Sequence, residues 1–395
     1  MNRLYKNGLL QTFGGLCALL VVNGIGRFVY TSLLPGMMAA YGFDTKTAGS
    51  IAAWNLFGYL IGLLAMRNVT HGTRRYALFV FFFFMTIATI AAMGFTHSSF
   101  PWHAIRFISG IAAGACFVLC SAIVLDTLMV LGKPALAGFL YSGVGVGLAL
   151  GAVLTRPFEA MSGPSGAWLW MALVCVPPGI VSLVALRPKV NPAPTVQGRA
   201  LGAVSGRERR KPQKGYAALL ASYALEGFGY IIGMTFLVSL VQTATNSPAL
   251  AGTSWIIAGV AAAVSAPLWR LAARKGYLTM LIVALVLQAV GALLPALSTA
   301  VPVILLGGLL LGGTFMGIVV LALQYGVTLS GRGSAHTVAI LTGVYGVGQI
   351  VGPYVAGMSA QGSDFRFAFA LSSASLVLAA LLLIPNYFSP NKNER

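Results

Sequence analysis

The sequence predicts an all-α membrane protein with twelve transmembrane helices arranged as two parallel six-helix bundles. Of its 395 residues, 58% are hydrophobic and 8% are charged, which is more apolar surface than one globular core can hide from water. Apolar stretches of about 20 residues, the length needed to cross a bilayer, recur along the whole chain. The two halves of the chain also match each other when one is shifted onto the other.

Six apolar stretches are expected on each side of a polar joint, and we number them span 1 to span 12. Their approximate centres are Leu20, Phe57, Met85, Gly114, Gly145, Val176, Gly229, Gly259, Leu287, Leu310, Gly348 and Val377. Span 1 begins like a signal peptide, but it continues past Arg27 without a small-residue cleavage site. We therefore expect span 1 to be retained in the mature protein.

The internal match appears at a shift of 203 residues. Seven pairs of glycines then coincide, where the composition alone would give about three. The pairs are Gly24 with Gly227, Gly26 with Gly229, Gly49 with Gly252, Gly110 with Gly313, Gly114 with Gly317, Gly143 with Gly346, and Gly145 with Gly348. This pattern predicts a tandem duplication in which both halves run in the same direction.

Charge defines the expected organisation: a bundle over 1–186, a linker over 187–214 and a second bundle over 215–395. The linker carries eight basic residues against one acid, Glu208. Such a basic segment is also typical of nucleic-acid binding, but positive charge beside spans more often marks the cytoplasmic side. With both termini inside, 20 of the 25 Lys and Arg residues fall on cytoplasmic segments. We therefore expect cytoplasmic termini and no nucleic-acid partner.

No pattern for enzymatic chemistry is found. The sequence contains neither a GxSxG nucleophile motif nor a GxxxxGK[ST] phosphate-binding loop. Cys116 and Cys120 share a helix face, which fits a soft-metal site or close helix packing. Because no His or Met completes a ligand set, we favour packing. The chain is expected to be no enzyme and to use no metal or cofactor.

Three segments resemble the major facilitator superfamily. The first, after span 2, reads GLLAMRNVTHGTRR and contains Arg67, Arg74 and Arg75, although Met66 stands where the superfamily usually has an acid. The second, RFISGIAAG, runs from Arg106 through span 4. The third, NGIGRFVYTSLLP in span 1, is similar to the YbfB/YjiJ-type branch of that superfamily.

The resemblance implies a secondary active transporter whose halves rock about a substrate site at the bilayer midplane. It implies that an ion pair of Arg67, Arg74 or Arg75 with Asp126 holds the cytoplasmic side closed in one state, which we call the latch. It also implies an incomplete second copy of the basic motif that begins at Arg270. The expected partners are a small-molecule substrate, protons and the lipid bilayer. We expect a monomer in a bacterial inner (plasma) membrane.

Charged residues inside spans are costly, so they usually face a wet cavity or a partner. Under the 203-residue shift, Asn23 corresponds to Glu226 and Arg27 to Tyr230, so Arg27 and Glu226 lie on equivalent helices. We expect Arg27 to bind a substrate carboxylate through its planar donor fork and Glu226 to carry the proton. The alternative is that the two form a fixed structural pair or extend toward the membrane interfaces.

Other polar groups are secondary candidates. Arg106 either assists proton movement, as the span 4 motif implies, or anchors the helix with its tip among the headgroups. Additional substrate contacts are expected from Asn23, Tyr30, Tyr230 and Gln349. Each of these also fits an ordinary hydrogen bond between helices.

Three function classes are open, and we favour a secondary transporter over a channel or a membrane-embedded enzyme because parallel six-span halves are typical of transporters. Two arginines in the first half favour an organic anion as substrate. Glu226 and the many aromatic residues also suit proton-driven export of an amphipathic or cationic compound.

Overall fold

The computed structural model describes residues 2–66, 69, 72–133, 136–188, 212–298, 300–330, 334–359 and 365–388. Its regular elements are helices, and the described residues contain no strand. Helices form because a chain in hydrocarbon must satisfy its backbone hydrogen bonds internally. Of the predicted site residues, Arg67 lies outside the described residues, as does most of the 187–214 linker.

The first half contains the segments of spans 1 to 6. They are Asn2–Leu19, a π-helical segment Leu20–Ile25 and Gly26–Tyr41 (together span 1), Thr45–Met66 (span 2), Gly72–Met93 (span 3), Ser99–Val130 (span 4), Ala137–Val174 (span 5 and the start of span 6) and Val176–Ala185 (the rest of span 6).

The second half contains the segments of spans 7 to 12. They are Tyr216–Thr245 (span 7), Pro248–Ala272 (span 8), Tyr277–Leu297 (span 9), Val301–Leu329 (span 10), Ser334–Ser359 (span 11) and Arg366–Phe388 (span 12).

Ten of these stretches are long and apolar enough to cross a membrane, judged on the described residues. One of them, Gly138–Ala185, is 48 residues long and turns at Gly163, whose φ of 68° is in the left-handed region. Glycine tolerates this conformation, and Pro164 follows it. This stretch holds two of the predicted spans, and with Ser334–Ser359 the arrangement fits twelve crossings.

Large apolar side chains cover the outer surface of the bundle, as a lipid environment requires. Phe81 and Phe84 are 60% and 56% exposed, and Ile180 and Leu381 are similarly exposed. In water such a band would be unfavourable, whereas in a bilayer these side chains contact acyl chains. The polar side chains named below as site candidates are instead buried between helices.

Glycines allow the helices within each half to approach closely. A Cβ atom at Gly110 or Gly114 of span 4 would overlap the backbone oxygen of Asn55 or Tyr59 in span 2. In the second half, a Cβ at Gly312 of span 10 would overlap the Ala258 oxygen in span 8. The RFISGIAAG motif therefore acts in helix packing, and the second half repeats this contact between its equivalent spans.

The two halves meet along two seams. In one, span 2 packs against span 11, where a Cβ at Gly49 would lie 2.5 Å from the Pro353 oxygen. In the other, span 5 packs against span 8, where a Cβ at Gly259 would lie 2.5 Å from the Ala149 nitrogen. We call the side of the molecule where span 6 ends (Ala185) and span 7 begins (Tyr216) the linker end, and the opposite side the far end.

Two open clefts lie between the halves at the far end of the described structure. One, of about 650 Å³, lies between the 35–46 segment and spans 7 and 11, and the other, of about 590 Å³, lies between spans 5 and 8. Asp44 lines the first cleft and accepts a hydrogen bond of 2.8 Å from the Thr47 N–H at the start of span 2. Hydrogen bonds from the Thr47 side chain and backbone lower the pKa of Asp44.

Candidate functional site

Span 1 departs from α-helical geometry at the point where the candidate residues lie. In the π-helical segment Leu20–Ile25 all six residues are buried, and the Gly26 N–H bonds to the Val21 oxygen five residues back. Such segments are rare and frequently occur at functional sites. Gly24 packs against span 5 so closely that a Cβ there would lie 2.5 Å from the Gly147 Cα.

Arg106 donates hydrogen bonds to the backbone of span 1 directly after the π-helical segment. Its guanidinium donates to the Gly26 oxygen at 2.8 Å and to the Arg27 oxygen at 3.1 Å. The same guanidinium lies over the Tyr30 ring, 5.0 Å from the centroid. Because Arg106 is 3% exposed, the expectation of an interfacial anchor is wrong. The geometry gives Arg106 a positioning role for the backbone beside Arg27.

Arg27 is buried but has no carboxylate partner among the described residues. Its guanidinium lies 4.9 Å from the Tyr59 ring centroid and 5.2 Å from that of Phe28. Its Nη2 atom is buried without a hydrogen-bond partner. Two aromatic faces therefore hold the cation, and donor capacity is left over. This arrangement can bind an anionic group.

Glu226 is completely buried in span 7, at 0% exposure. Its polar neighbour is Gln288 of span 9, although neither side chain makes a hydrogen bond of standard geometry within the described chain. No ion pair joins Glu226 to Arg27. The alternative of a fixed Arg27–Glu226 pair is therefore wrong for this structure, and so is an extension of either residue toward the membrane interfaces.

Arg27 and Glu226 have two tyrosine neighbours in common. Tyr230 and Tyr345 lie within electrostatic range of both Arg27 and Glu226. Gln349 donates to the Tyr230 hydroxyl at 3.0 Å. Arg27 and Glu226 thus share one buried polar neighbourhood, in which a change of charge on either residue is felt by the other.

Four aromatic rings form a stack through this neighbourhood. Tyr223 and Tyr345 have centroids 4.6 Å apart, Tyr345 and Tyr230 5.7 Å, and Tyr230 and Phe315 4.6 Å, with interplanar angles of 11° to 20°. We call these residues the aromatic stack. Phe28 of span 1 reaches across the boundary between the halves and contacts the Phe315 end of the stack edge-on.

The other predicted substrate contacts lie either in the central cluster or within the first half. Asn23 is buried in the π-helical segment with an unpartnered Oδ1 atom, and it interacts with the Tyr59 hydroxyl. Tyr30 instead donates to the Ala48 oxygen at 3.0 Å. The structure therefore brings Asn23, Tyr230 and Gln349 to the central cluster and commits Tyr30 to packing within the first half.

At the linker end the structure describes two of the three arginines expected near Asp126, Arg74 and Arg75, and Arg75 contacts it. The Arg75 Nη1 atom lies 2.6 Å from the Asp126 Oδ2 atom, joining spans 3 and 4. Arg74 is exposed. Arg270 lies in the last turn of span 8 and is partly exposed, without an ion pair to any described acid.

Sequence reasoning missed several members of the site. Gln288 carried a usable signal, because it is a polar residue within the apolar stretch TMLIVALVLQAVGALL. Tyr59, Phe28, Phe315 and Trp255 carried none, since single aromatic residues are common in spans. Glu159 was also missed; its Oε1 atom is buried without a hydrogen-bond partner in the described structure, beside the second far-end cleft.

Comparison with known proteins gives one family match and similar solved structures. A family model described as "Uncharacterised MFS-type transporter YbfB" matches residues 19–384. An aspartate-to-alanine mutant of the nucleoside transporter NupG superposes with a TM-score of 0.72 at 14% identity, over 95% of this chain and 99% of that chain.

A second NupG structure gives a TM-score of 0.68 at 14% identity, over 98% of this chain and 99% of that chain. At this identity the likeness shows the fold alone. Among curated proteins, none matches the chain.

Proposed function

The chain belongs to the MFS-type transporter family of the uncharacterised transporter YbfB and is a secondary transporter, and we propose that it moves a small organic anion by proton-coupled alternating access. The observation that carries this proposal is the presence of two buried ionisable residues on equivalent spans, neither of which has an ion-pair partner among the described residues. Within that part of the chain, one Arg27 nitrogen and both Glu226 oxygens lack a hydrogen bond, and both residues lie in one tyrosine-lined cluster. Ionisable residues inside a membrane usually mark pathways for substrates and ions.

Arg27 binds the substrate anion and Glu226 binds the proton in this mechanism. A proton on Glu226 removes its charge, so the carboxyl can stay buried without a cation. An anion on Arg27 neutralises the guanidinium in the same way. Because Tyr230 and Tyr345 sense both residues, the two binding events are coupled electrostatically through a shared low-dielectric neighbourhood.

Alternating access follows from the two seams. We propose that the halves, 1–186 and 215–395, rock as units while the 187–214 linker accommodates the motion. Arg27 and Glu226 are 7% and 0% exposed, and neither lines a far-end cleft. This burial supports a closed state in the proposed cycle, from which opening at either end would give the central cluster access to water.

Orientation in the membrane is part of the proposal. We place the linker end and both termini in the cytoplasm of a bacterial cell, in the inner membrane, because most Lys and Arg residues then lie inside. The four native cysteines are buried, so a single introduced cysteine reports the side without interference. Lys46→Cys at the far end is expected to react with a membrane-impermeant maleimide in intact cells.

The function is tested with purified protein in liposomes. Organic acids, nucleosides, sugars, amino acids and cationic drugs are first screened for thermal stabilisation, since a ligand that binds the folded state raises its Tm. Each hit is then assayed for uptake with and without an imposed pH gradient. Saturable uptake of an organic acid that follows the gradient supports the proposal, whereas gradient-independent flux contradicts proton coupling.

Export of an amphipathic cation is the second candidate, because Glu226 and the aromatic stack suit a positively charged ring compound. The two candidates differ in their dependence on Arg27. Replacing Arg27 by Lys keeps the charge and removes the planar donor fork, so it is expected to weaken binding of an organic acid. A cationic substrate is expected to bind this variant at least as well as the wild type.

A further inference from the structure

Phe28 occupies a socket that belongs to the other half of the molecule. Its ring meets Phe315 at a centroid distance of 6.0 Å and an angle of 80°, and Trp255 at 6.3 Å and 62°. Phe315 lies in span 10 and Trp255 in span 8, whereas Phe28 lies in span 1. A benzene ring supplied by the first half thus fills an aromatic socket built by the second half.

The socket lies beside the Arg27 guanidinium. The Phe28 centroid lies 5.2 Å from the Arg27 guanidinium carbon, and the Arg27 Nη2 atom is buried without a hydrogen-bond partner in the part of the chain that is described. One compact volume therefore combines edge and face contacts for a flat ring with a free guanidinium N–H. An anion attached to a flat ring matches both features at once.

Opening the transporter must empty this socket. Because Phe28 and its two ring partners lie on opposite halves, rocking of the halves withdraws Phe28 from Phe315 and Trp255. The exposed ring surfaces then lose their edge-to-face contacts, which stabilise aromatic pairs beyond the burial of their area. A planar ring restores those contacts, whereas a saturated ring of the same size restores only the buried area.

We propose that the site selects planar aromatic carboxylates, whose ring takes the place of Phe28 between Phe315 and Trp255 while the carboxylate binds Arg27. This inference rests on the proposed function, since it specifies which organic anion is carried. In this proposal Phe28 competes with the substrate, because the Phe28 ring and the substrate ring bind in the same socket.

The test compares acids that differ only in ring planarity. Benzoate, phenylacetate and 2-naphthoate are titrated against wild-type protein beside their fully saturated counterparts, with Tm shifts and equilibrium binding as readouts. We expect at least one aromatic acid to bind about tenfold more tightly than its saturated partner, the ratio that about 1.4 kcal/mol of ring contacts provides. Equal binding of every pair would overturn the inference.

Variants of the socket sharpen the result. Trp255→Phe keeps an aromatic ring and is expected to preserve the preference, while Trp255→Leu is expected to bring the ratio close to one. Phe28→Ala removes the competitor and one of the two rings beside Arg27, so it is expected to raise the ratio of aromatic to saturated binding, whatever its effect on the affinity of all acids. Phe81→Leu, a change on the lipid-exposed surface, is the matched control and is expected to leave the ratio unchanged. Each variant is first checked for a wild-type elution profile.

The outcomes separate the inference from the proposed function. If aliphatic and aromatic acids bind equally and both need Arg27, the aromatic selection is wrong and organic-anion transport stands. If no acid of either kind stabilises the protein while a cation or nucleoside does, both are wrong. An aromatic preference that survives Trp255→Leu also overturns the proposal, because the ring would then bind elsewhere.

Discussion

At the scale of single residues, Glu226 and Arg27 are distinguished by what they lack. Buried polar groups are almost always hydrogen-bonded, and the orphaned atoms of these two residues lie in one cluster. The cost of leaving them unmet is of the order of 1–3 kcal/mol for each group. These groups lower the stability of the fold, but they remain able to bind a substrate or a proton, as expected for a transport site.

Replacing Glu226 by Gln is expected to flatten the pH dependence of transport. The amide keeps the shape of the side chain but binds no proton, so a step that requires proton binding at this position disappears. Initial uptake rates in liposomes from pH 5 to 8 measure the effect. Glu159→Gln is the matched control, because Glu159 also has a buried carboxyl oxygen but lies at the far end. A Glu226→Gln profile that retains the wild-type slope would remove Glu226 from coupling.

Arg106 is expected to act through position rather than contact with the substrate. Arg106→Lys keeps the charge but cannot match the two guanidinium bonds to the Gly26 and Arg27 oxygens. We expect a loss of about 1–3 kcal/mol in stability and weaker substrate binding, with the pH profile unchanged in shape. Tm and uptake assays check this, and Arg274→Lys at an exposed position is the control. A shifted pH profile would instead assign Arg106 to proton transfer.

At the scale of elements, the spans were predictable and their irregularities were not. Hydrophobic length locates a span because the bilayer sets it, and each predicted centre lies in a helix. The π-helical segment of span 1 has no such signature, since it depends on how Gly24 packs against Gly147. Likewise, sequence placed Arg27 and Glu226 on equivalent helices, but only side-chain packing reveals Tyr59 and Phe28 as the groups that hold Arg27.

Gly24→Ala tests whether the π-helical segment needs the close approach of span 5. The added methyl would lie 2.5 Å from the Gly147 Cα, and backbone cannot yield as a side chain can. Overpacking of this kind costs about 1–3 kcal/mol, and displacement of Asn23 and Arg27 should reduce transport. Gly343→Ala is the control, because a Cβ there has no atom within 4 Å in the described structure. Comparable Tm and activity in both variants would contradict this view.

At the scale of the whole molecule, we expect closure to depend on the two seams, where small residues of the two halves face each other. The Arg75–Asp126 contact joins spans 3 and 4 within the first half. Asp126 is 40% exposed, and such surface pairs contribute about 0–1 kcal/mol. We therefore expect the seams, rather than this ion pair, to determine which end opens.

Gly49→Ala is expected to open the far end. A Cβ at Gly49 would lie 2.5 Å from the Pro353 oxygen, so the methyl group separates span 2 from span 11 beside the larger cleft. The closed state loses stability and the population shifts toward the far-open state. A cysteine introduced at Thr243, which lines that cleft, should then react faster with an impermeant maleimide. Asp126→Asn, introduced beside Thr243→Cys without Gly49→Ala, should leave the labelling rate unchanged, because the Arg75–Asp126 contact lies within the first half and crosses neither seam. A faster rate in Asp126→Asn than in Gly49→Ala would mean that the halves do not rock as units.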